Sequence, residues 1–223
     1  MIRRCLIVDT ETTGLDPAKD AVIEIGCILY SVEHQTSLVS FSSLIPNVTE
    51  NPCENINRIP SAALAAMGAI YYAPFSPMID AADVLVAHNA DFDQSFLRDE
   101  WRSKPWACTR FDFAWPRQMR DGESLATLVL AHGIGVMSAH RALTDCQLIA
   151  ALFDRMTDLP AMFARAMRPK GTFVAMVSYD DREKAKAAGF QWEAATKRWF
   201  RRMAIEDAAA LPFKTLQLAE GGA

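Results

Sequence analysis

Short apolar runs alternate with amphipathic stretches along this chain, and the two patterns predict different elements. Residues 5–8 (CLIV) form an uninterrupted apolar run that predicts a buried strand. They lead into Asp9, Thr10, Glu11, Thr12, Thr13 and Gly14, where the glycine predicts a turn. Residues 21–32 and 38–45 are rich in Val, Ile and Leu around a polar break at 33–36, the pattern of a hairpin. Together these segments predict an antiparallel start to a sheet. Residues 46–60 read as loop, and 61–67 as the opening of a helix with Ser61 as N-cap.

Beyond this point the pattern changes period. Ser76 and Pro77 predict a helix capped by Ser76, with proline at its first position. Residues 84–87 (VLVA) predict a second buried strand, followed by a helix over 91–101 that turns Phe92, Phe96 and Leu97 into the core. A further strand is expected over 106–113, then amphipathic helices over 124–132 and 144–156. Strands alternating with helices imply parallel pairing, so the whole predicts an α/β fold with a mixed sheet flanked by helices.

Residues 160–170 read as a helical connector, stopped by Pro169 and Gly171. The pattern then restarts with a strand over 173–179, a helix over 180–188 with Gly189 as its C-terminal stop, and a hairpin over 190–203 holding two tryptophans. The expected organisation is therefore a main domain over 1–160, a linker over 161–171 and a small α+β module over 172–223.

Composition changes this picture in one respect. At 223 residues, 51% hydrophobic and 22% charged, the chain has the make-up of a globular protein. Its net charge of −4 is unevenly spread. Residues 1–159 hold 12 Lys/Arg against 20 Asp/Glu, and 160–223 hold 11 against 7. The first part suits cations and the second suits polyanions. No segment approaches the roughly 18–20 uncharged apolar residues of a membrane span. The chain opens almost directly on its first strand, without the pattern of a cleaved leader. Five scattered cysteines, none in a C-x-x-C pair, predict reduced thiols and a cytoplasmic setting, with neither a disulfide framework nor a zinc site.

The chemistry concentrates in four acids. Asp9 and Glu11 stand two positions apart at the end of a strand, so both side chains share one face. Asp93 follows the second apolar strand, and Asp145 falls early in a predicted helix. Four carboxylates converging at a sheet edge repel one another, and divalent metal relieves the conflict. An all-carboxylate set suits Mg²⁺ or Mn²⁺ better than zinc, and two such ions serve phosphoryl displacement. His140, five residues before Asp145, is placed to take a proton from an attacking water, since imidazole titrates near working pH.

Three segments resemble the motifs of the DEDDh exonucleases, the family that includes proofreading epsilon subunits. The run Asp9 to Leu15 (DTETTGL) is similar to the first motif, His88 to Asp93 (HNADFD) to the second, and His140 to Asp145 (HRALTD) to the third. Residues 106–109 (WACT) and 139–146 (AHRALTDC) look most like the exodeoxyribonuclease X branch. The resemblance covers about residues 5–156. It implies a ribonuclease-H-like fold, two Mg²⁺ or Mn²⁺ ions held by Asp9, Glu11, Asp93 and Asp145, and release of 5′-mononucleotides from the 3′ end of DNA. It further implies substrate contacts from Thr10, Glu11, Thr12, Leu15 and Asn89. Where the family often has an Ile-His-Gly-Ile-like segment, this chain has Ile56, Asn57, Arg58, Ile59 and Pro60.

Blander readings stand beside these. A lone acid is ordinarily a surface charge or cap, and Asp91 reads as a first-turn acid complementing a helix dipole. Phe96 reads as core that also touches a base. His34 and His132 are expected at the surface, and Cys108 and Cys146 in packing. Residues 173–203 resemble small modules appended to bacterial DNA-processing proteins. There Trp192 and Trp199 supply either the core such a unit needs or stacking faces for single-stranded bases. Lys197, Arg198, Arg201 and Arg202 form a candidate nucleic-acid rim. An RNA-trimming exonuclease and a non-catalytic binding module on a nuclease fold are the alternative functions.

Overall fold

Residues 5–8 and 84–87 lie side by side at the centre of the molecule, because runs apolar on both faces are stable only when both faces are covered. The computed structural model describes residues 1–45, 48, 50–66, 75–136, 138 and 140–218. Its first sheet has the order β3-β2-β1-β4-β5, formed by β1 (Arg4–Thr12), β2 (Val22–Ser31), β3 (Thr36–Leu44), β4 (Val84–Ala87) and β5 (Trp106–Cys108). The first three strands pair antiparallel, whereas β4 runs parallel to β1 and to β5. The sheet is mixed, as the change of period predicts.

Helices surround it in chain order: α1 (Glu54–Asn57), α2 (Ser61–Ala66), α3 (Ser76–Ala81), α4 (Ala90–Phe96), α5 (Asp99–Arg102), α6 (Leu125–Ala131), α7 (Ala142–Phe153) and α8 (Leu159–Ala166). Cys5 and Ile7 of β1 pack toward α7 with Ile149, Phe153 and Phe163. Leu6 and Val8 pack on the opposite face with Met78, Ile79, Leu97 and Trp101. This parity continues past Val8 and positions the site described below.

Several element boundaries differ from expectation for local reasons. Ser76 lies inside α3 and makes no side-chain cap; Phe75 occupies the N-cap position. The helix expected over 91–101 is two helices, because Arg102 donates to the carbonyls of Gln94 and Ser95 and closes α4 early. Leu97 is buried as expected, but Phe92 is half-buried and packs edge-on to Phe96. The strand expected over 106–113 ends at Cys108, where the Asp112 carboxylate accepts the Cys108 N–H at 2.7 Å and turns the chain. His132 is buried, its Nδ1 2.8 Å from the Leu128 carbonyl and its ring against Trp115. Leu159, Phe163 and Ala166 of α8 belong to the main core, so this part of the expected linker is packed helix. Gly171 lies within a strand and does not stop a helix. The expected end of α2 at Met67 falls outside the described residues.

The C-terminal residues form a second, antiparallel sheet, β7-β8-β6-β9, from β6 (Lys170–Ala175), β7 (Gln191–Glu193), β8 (Arg198–Ala204) and β9 (Thr215–Gln217). Two helices accompany it, α9 (Arg182–Ala187) and α10 (Ile205–Ala209). Gly189 takes a left-handed φ of 75° just past α9, the conformation a helix stop requires. Phe173, Ala185, Phe190 and Met203 make a separate small core. Two ion pairs join this sheet to the first part of the chain: Lys170 with the buried Asp112, and Arg201 with Asp121 at 2.8 Å.

Candidate active site

The parity of β1 builds the site. Asp9 and Glu11 share the face of Cys5 and Ile7, the face on which α7 lies, and α7 carries Asp145 in its first turn. Thr10 points the other way, toward α4. There the buried Asp93 accepts its N–H at 3.0 Å and its hydroxyl at 2.8 Å. Asp93 is thereby fixed beside the two acids of β1.

Gly26 explains how close α7 comes. It is the cross-strand partner of Asp9, and a Cβ there would stand 2.4 Å from the backbone of Ala142 and Leu143. The first turn of α7 therefore rests on bare backbone, which brings Asp145 down to β1. Potential ligand atoms of Glu11, His140 and Asp145 lie within 4.8 Å of one another. His140 precedes α7 with a left-handed φ of 60°, exposes its imidazole and donates its backbone N–H to Asp145.

The electrostatics follow from this crowding. Burial, reinforced by Asp93, Asp145, Glu11 and Glu24, pushes the Asp9 carboxyl well above the usual carboxylate range. Glu11 is pushed up to about 8, by burial first and then by Asp145 and Glu24. Asp93 rises to about 7 through burial, against the lowering effect of the two Thr10 hydrogen bonds. Asp145 is also raised by burial, while His140 opposes the rise. Four crowded carboxylates and an exposed imidazole form an oxygen-rich donor set that fits hard divalent cations.

Other expected site residues fall at various distances from this centre. Thr10 and Thr12 are buried and their hydroxyls are committed, to Asp93 and to the Gly14 carbonyl. They shape the site from within and do not offer their side chains to a substrate. Leu15 is 83% exposed on the turn after β1. Phe96 is half-buried against the α3–α5 core. Asn89, with a left-handed φ of 97°, lines a cleft together with Asp91, Trp192 and Arg202. Cys146 is buried under the acids and its thiol is pushed far up, as packing sulfur should be. Of the four basic residues in the C-terminal part, Arg201 is largely buried and spent on Asp121 and the Ala188 carbonyl, so it does not belong to a rim.

Two contributors are not evident from the motifs alone. Glu24, 3% exposed, accepts Nε and Nη2 of Arg141 and the Ala142 N–H, tying the start of α7 to β2. A charged residue inside the run VIEIG signals a buried pair, although its partner is not apparent without the fold. The second is His88, whose Nε2 donates to the Glu123 carbonyl and whose Nδ1 meets Thr109. Burial lowers it to about 4. The segment 56–60 also plays a local part: Asn57 is buried, bonded to Asn51, and reaches the Thr12 carbonyl at 3.5 Å, while Arg58 takes a left-handed φ of 57°.

Comparison with known proteins agrees with this geometry. The family model described as Exonuclease matches residues 6–153, and one described as Domain of unknown function (DUF8626) matches 171–218. The DNA polymerase III subunit epsilon of Treponema pallidum is 34% identical over 161 residues, covering 66% of this chain and 74% of its own. The PolC-type DNA polymerase III of Thermotoga petrophila is 28% identical over 177 residues, covering 69% of this chain. That match spans only 12% of the polymerase. Among solved structures, exonuclease X in complex with 5′ overhanging duplex DNA aligns with a TM-score of 0.56 at 26% identity, over 73% of this chain and 96% of its own. Because the Exonuclease model spans more than half of its length, over the same residues that carry the acids and His140, the chain belongs to the exonuclease family.

Proposed function

We propose that this chain is a 3′→5′ exonuclease acting on DNA, with two Mg²⁺ or Mn²⁺ ions held by Asp9, Glu11, Asp93 and Asp145. The observation that carries this reading is the meeting of Glu11, His140 and Asp145 within 4.8 Å, beside the buried Asp9 and Asp93. Divalent cations at such a site neutralise the carboxylates and the developing charge on a transferred phosphate. His140 accepts a proton from the attacking water at an imidazole nitrogen. The bond from phosphorus to the 3′ oxygen of the penultimate nucleotide breaks, leaving a 5′-mononucleotide and a shortened strand. Leu15, exposed on its turn, and Phe96 offer apolar faces to the terminal base, and Asn89 lines the approach to it.

The wider organisation is part of the same reading. Residues 1–160 form the catalytic domain, 161–171 a short connection, and 172–223 an accessory module. Five unpaired thiols favour a reducing, cytoplasmic setting. Among the described residues no helix is long and apolar enough to cross a membrane.

The decisive assay uses 5′-labelled DNA and RNA oligonucleotides with Mg²⁺, Mn²⁺ or EDTA. Stepwise shortening of DNA from the 3′ end, abolished by EDTA, is expected. Preferential shortening of RNA would transfer the reading to an exoribonuclease, and no shortening of either would overturn it. The His140→Ala variant is expected to lose at least about 100-fold in kcat while still binding the oligonucleotide in the presence of metal.

A further inference from the structure

The C-terminal sheet carries a hollow of about 890 Å³ that the proposed hydrolysis does not use. Its lining includes Tyr179, Trp192 and Trp199, with Arg182, Lys197 and Arg198 around them. A small core normally withdraws its aromatics from water, yet Tyr179 is 78% exposed and Trp192 is 51% exposed. Trp199 is half-buried on the module core, and its ring meets that of Trp192 at 5.5 Å and 58°. Of the two tryptophans, one is therefore tied to the core and the other is presented to solvent. The Arg182 guanidinium lies 4.0 Å over the Tyr179 ring and holds it as a second flat surface.

The charge around these rings is equally specific. Lys197, Arg198 and Arg202 make no ion pair among the described residues, although acids are plentiful elsewhere in the chain. Exposed aromatic faces interleaved with unpaired cations match the chemistry of stacked bases joined by phosphates. An apolar protein segment would use the rings and leave the cations idle.

Position supplies the last step. Trp192 lines the hollow and also the cleft of about 370 Å³ that contains Asn89, Asp91 and Arg202. Asn89 and Asp91 belong to the segment that leads into Asp93. One side chain thus borders both the aromatic hollow and the approach to the carboxylates.

We propose that the C-terminal sheet is a binding site for the single-stranded part of the substrate upstream of the nucleotide being removed. A base enters the hollow formed by Tyr179, Trp192 and Trp199, and Lys197, Arg198 and Arg202 take the neighbouring phosphates. The inference rests on the exonuclease reading and gives the accessory module its ligand.

The test uses the full chain carrying His140→Ala, with labelled oligothymidylates of 3 and about 20 nucleotides, a length chosen to exceed the roughly 4–16 nucleotides one such module occupies. Adding Tyr179→Ala and Trp192→Ala is expected to raise the Kd for the long strand at least about tenfold and to erase its advantage over the short one. Trp192→Phe, which keeps a flat ring, is expected to restore most of that advantage and so excludes misfolding as the cause. Lys197→Ala with Arg198→Ala is expected to lower the salt dependence by about one counterion. An undiminished preference for the long strand, or an equal loss on both lengths, overturns the inference. Hydrolysis of the long strand by the unsubstituted chain is measured in parallel. If it is absent while the length preference behaves as expected, the exonuclease reading fails and this site remains.

Discussion

The Glu24 carboxylate holds Arg141 through two hydrogen bonds, from Nε at 3.0 Å and Nη2 at 2.7 Å, and takes the Ala142 N–H at 3.0 Å as well. The pair fastens β2 to the residues between His140 and Asp145. Removing one member of a buried pair typically costs about 3–5 kcal/mol. Arg141 keeps 43% of its side chain in solvent, so a loss of about 2 kcal/mol is expected for Arg141→Ala after that discount. Adding Glu24→Gln removes the stranded charge, and thermal melting should recover by at least half. Activity should not recover, because the first turn of α7 stays loose in both variants. A single variant that melts normally and keeps full kcat would show that the pair does not position His140.

Thr10 and Asp93 make a second relationship of this kind. The Thr10 hydroxyl and N–H both reach one oxygen of Asp93, and the hydroxyl bond is 2.8 Å. Thr10→Val preserves the shape, keeps the backbone bond and deletes the hydroxyl bond. Partners of metal ligands commonly contribute about 10–100-fold in metal affinity or activity. The expected result is a Mg²⁺ requirement raised by about tenfold, with kcat at saturating Mg²⁺ much less affected. An unchanged Mg²⁺ titration would return Thr10 to a packing role.

The unequal legibility of the site has a physical basis. Asp9 and Glu11 can be paired from sequence because strand parity is strict, and Asp145 because it lies a short, rigid distance from His140. Glu24 shares the same cross-strand position as Glu11, yet its partner is 117 residues away, and only the docking of α7 joins them. Hydrophobic periodicity located the mixed sheet and α7, since both bury continuous apolar surface. It could not find the break between α4 and α5, which depends on Arg102 reaching back to carbonyls, nor α10 and β9, which are too short for a period to register. His132 illustrates the converse case. Nothing in its neighbours marks it as buried until Trp115 arrives from an earlier loop.

The raised carboxylates predict a pH dependence of stability in metal-free protein. Glu11 at about 8 and Asp93 at about 7 bind protons more tightly in the folded chain than in the unfolded one. Between the ordinary carboxylate range near 4 and the folded values, the native state therefore holds more protons, so unfolding free energy falls as pH rises. In EDTA the melting temperature should decline from about pH 5 to pH 8. Mg²⁺ should raise it more at pH 8, where the acids are ionised and metal replaces protons. Glu11→Gln should flatten the decline. A melting temperature that climbs with pH in EDTA, or a Mg²⁺ effect larger at pH 5, would contradict the crowding of these acids.

Gly26 offers the most direct test of how the fold sets the site. A methyl group there meets the backbone of Ala142 and Leu143 at 2.4 Å, and backbone cannot swing aside as a side-chain tip can. Gly26→Ala must push α7 off β2, and α7 carries Asp145 and follows His140. Overpacking of this kind costs roughly 1–3 kcal/mol, occasionally more, and the site depends on placement within about 0.5 Å. Activity should therefore fall by a larger factor than stability loss explains. Measured well below its melting temperature, the variant is expected to stay folded by circular dichroism and to lose at least about 100-fold in kcat, since small misplacements of reacting groups carry penalties of that order. The Mg²⁺ requirement should rise with it, because Asp145 moves away from Glu11. If the folded variant turned over at the normal rate, close contact between α7 and β2 would not be what assembles the acids.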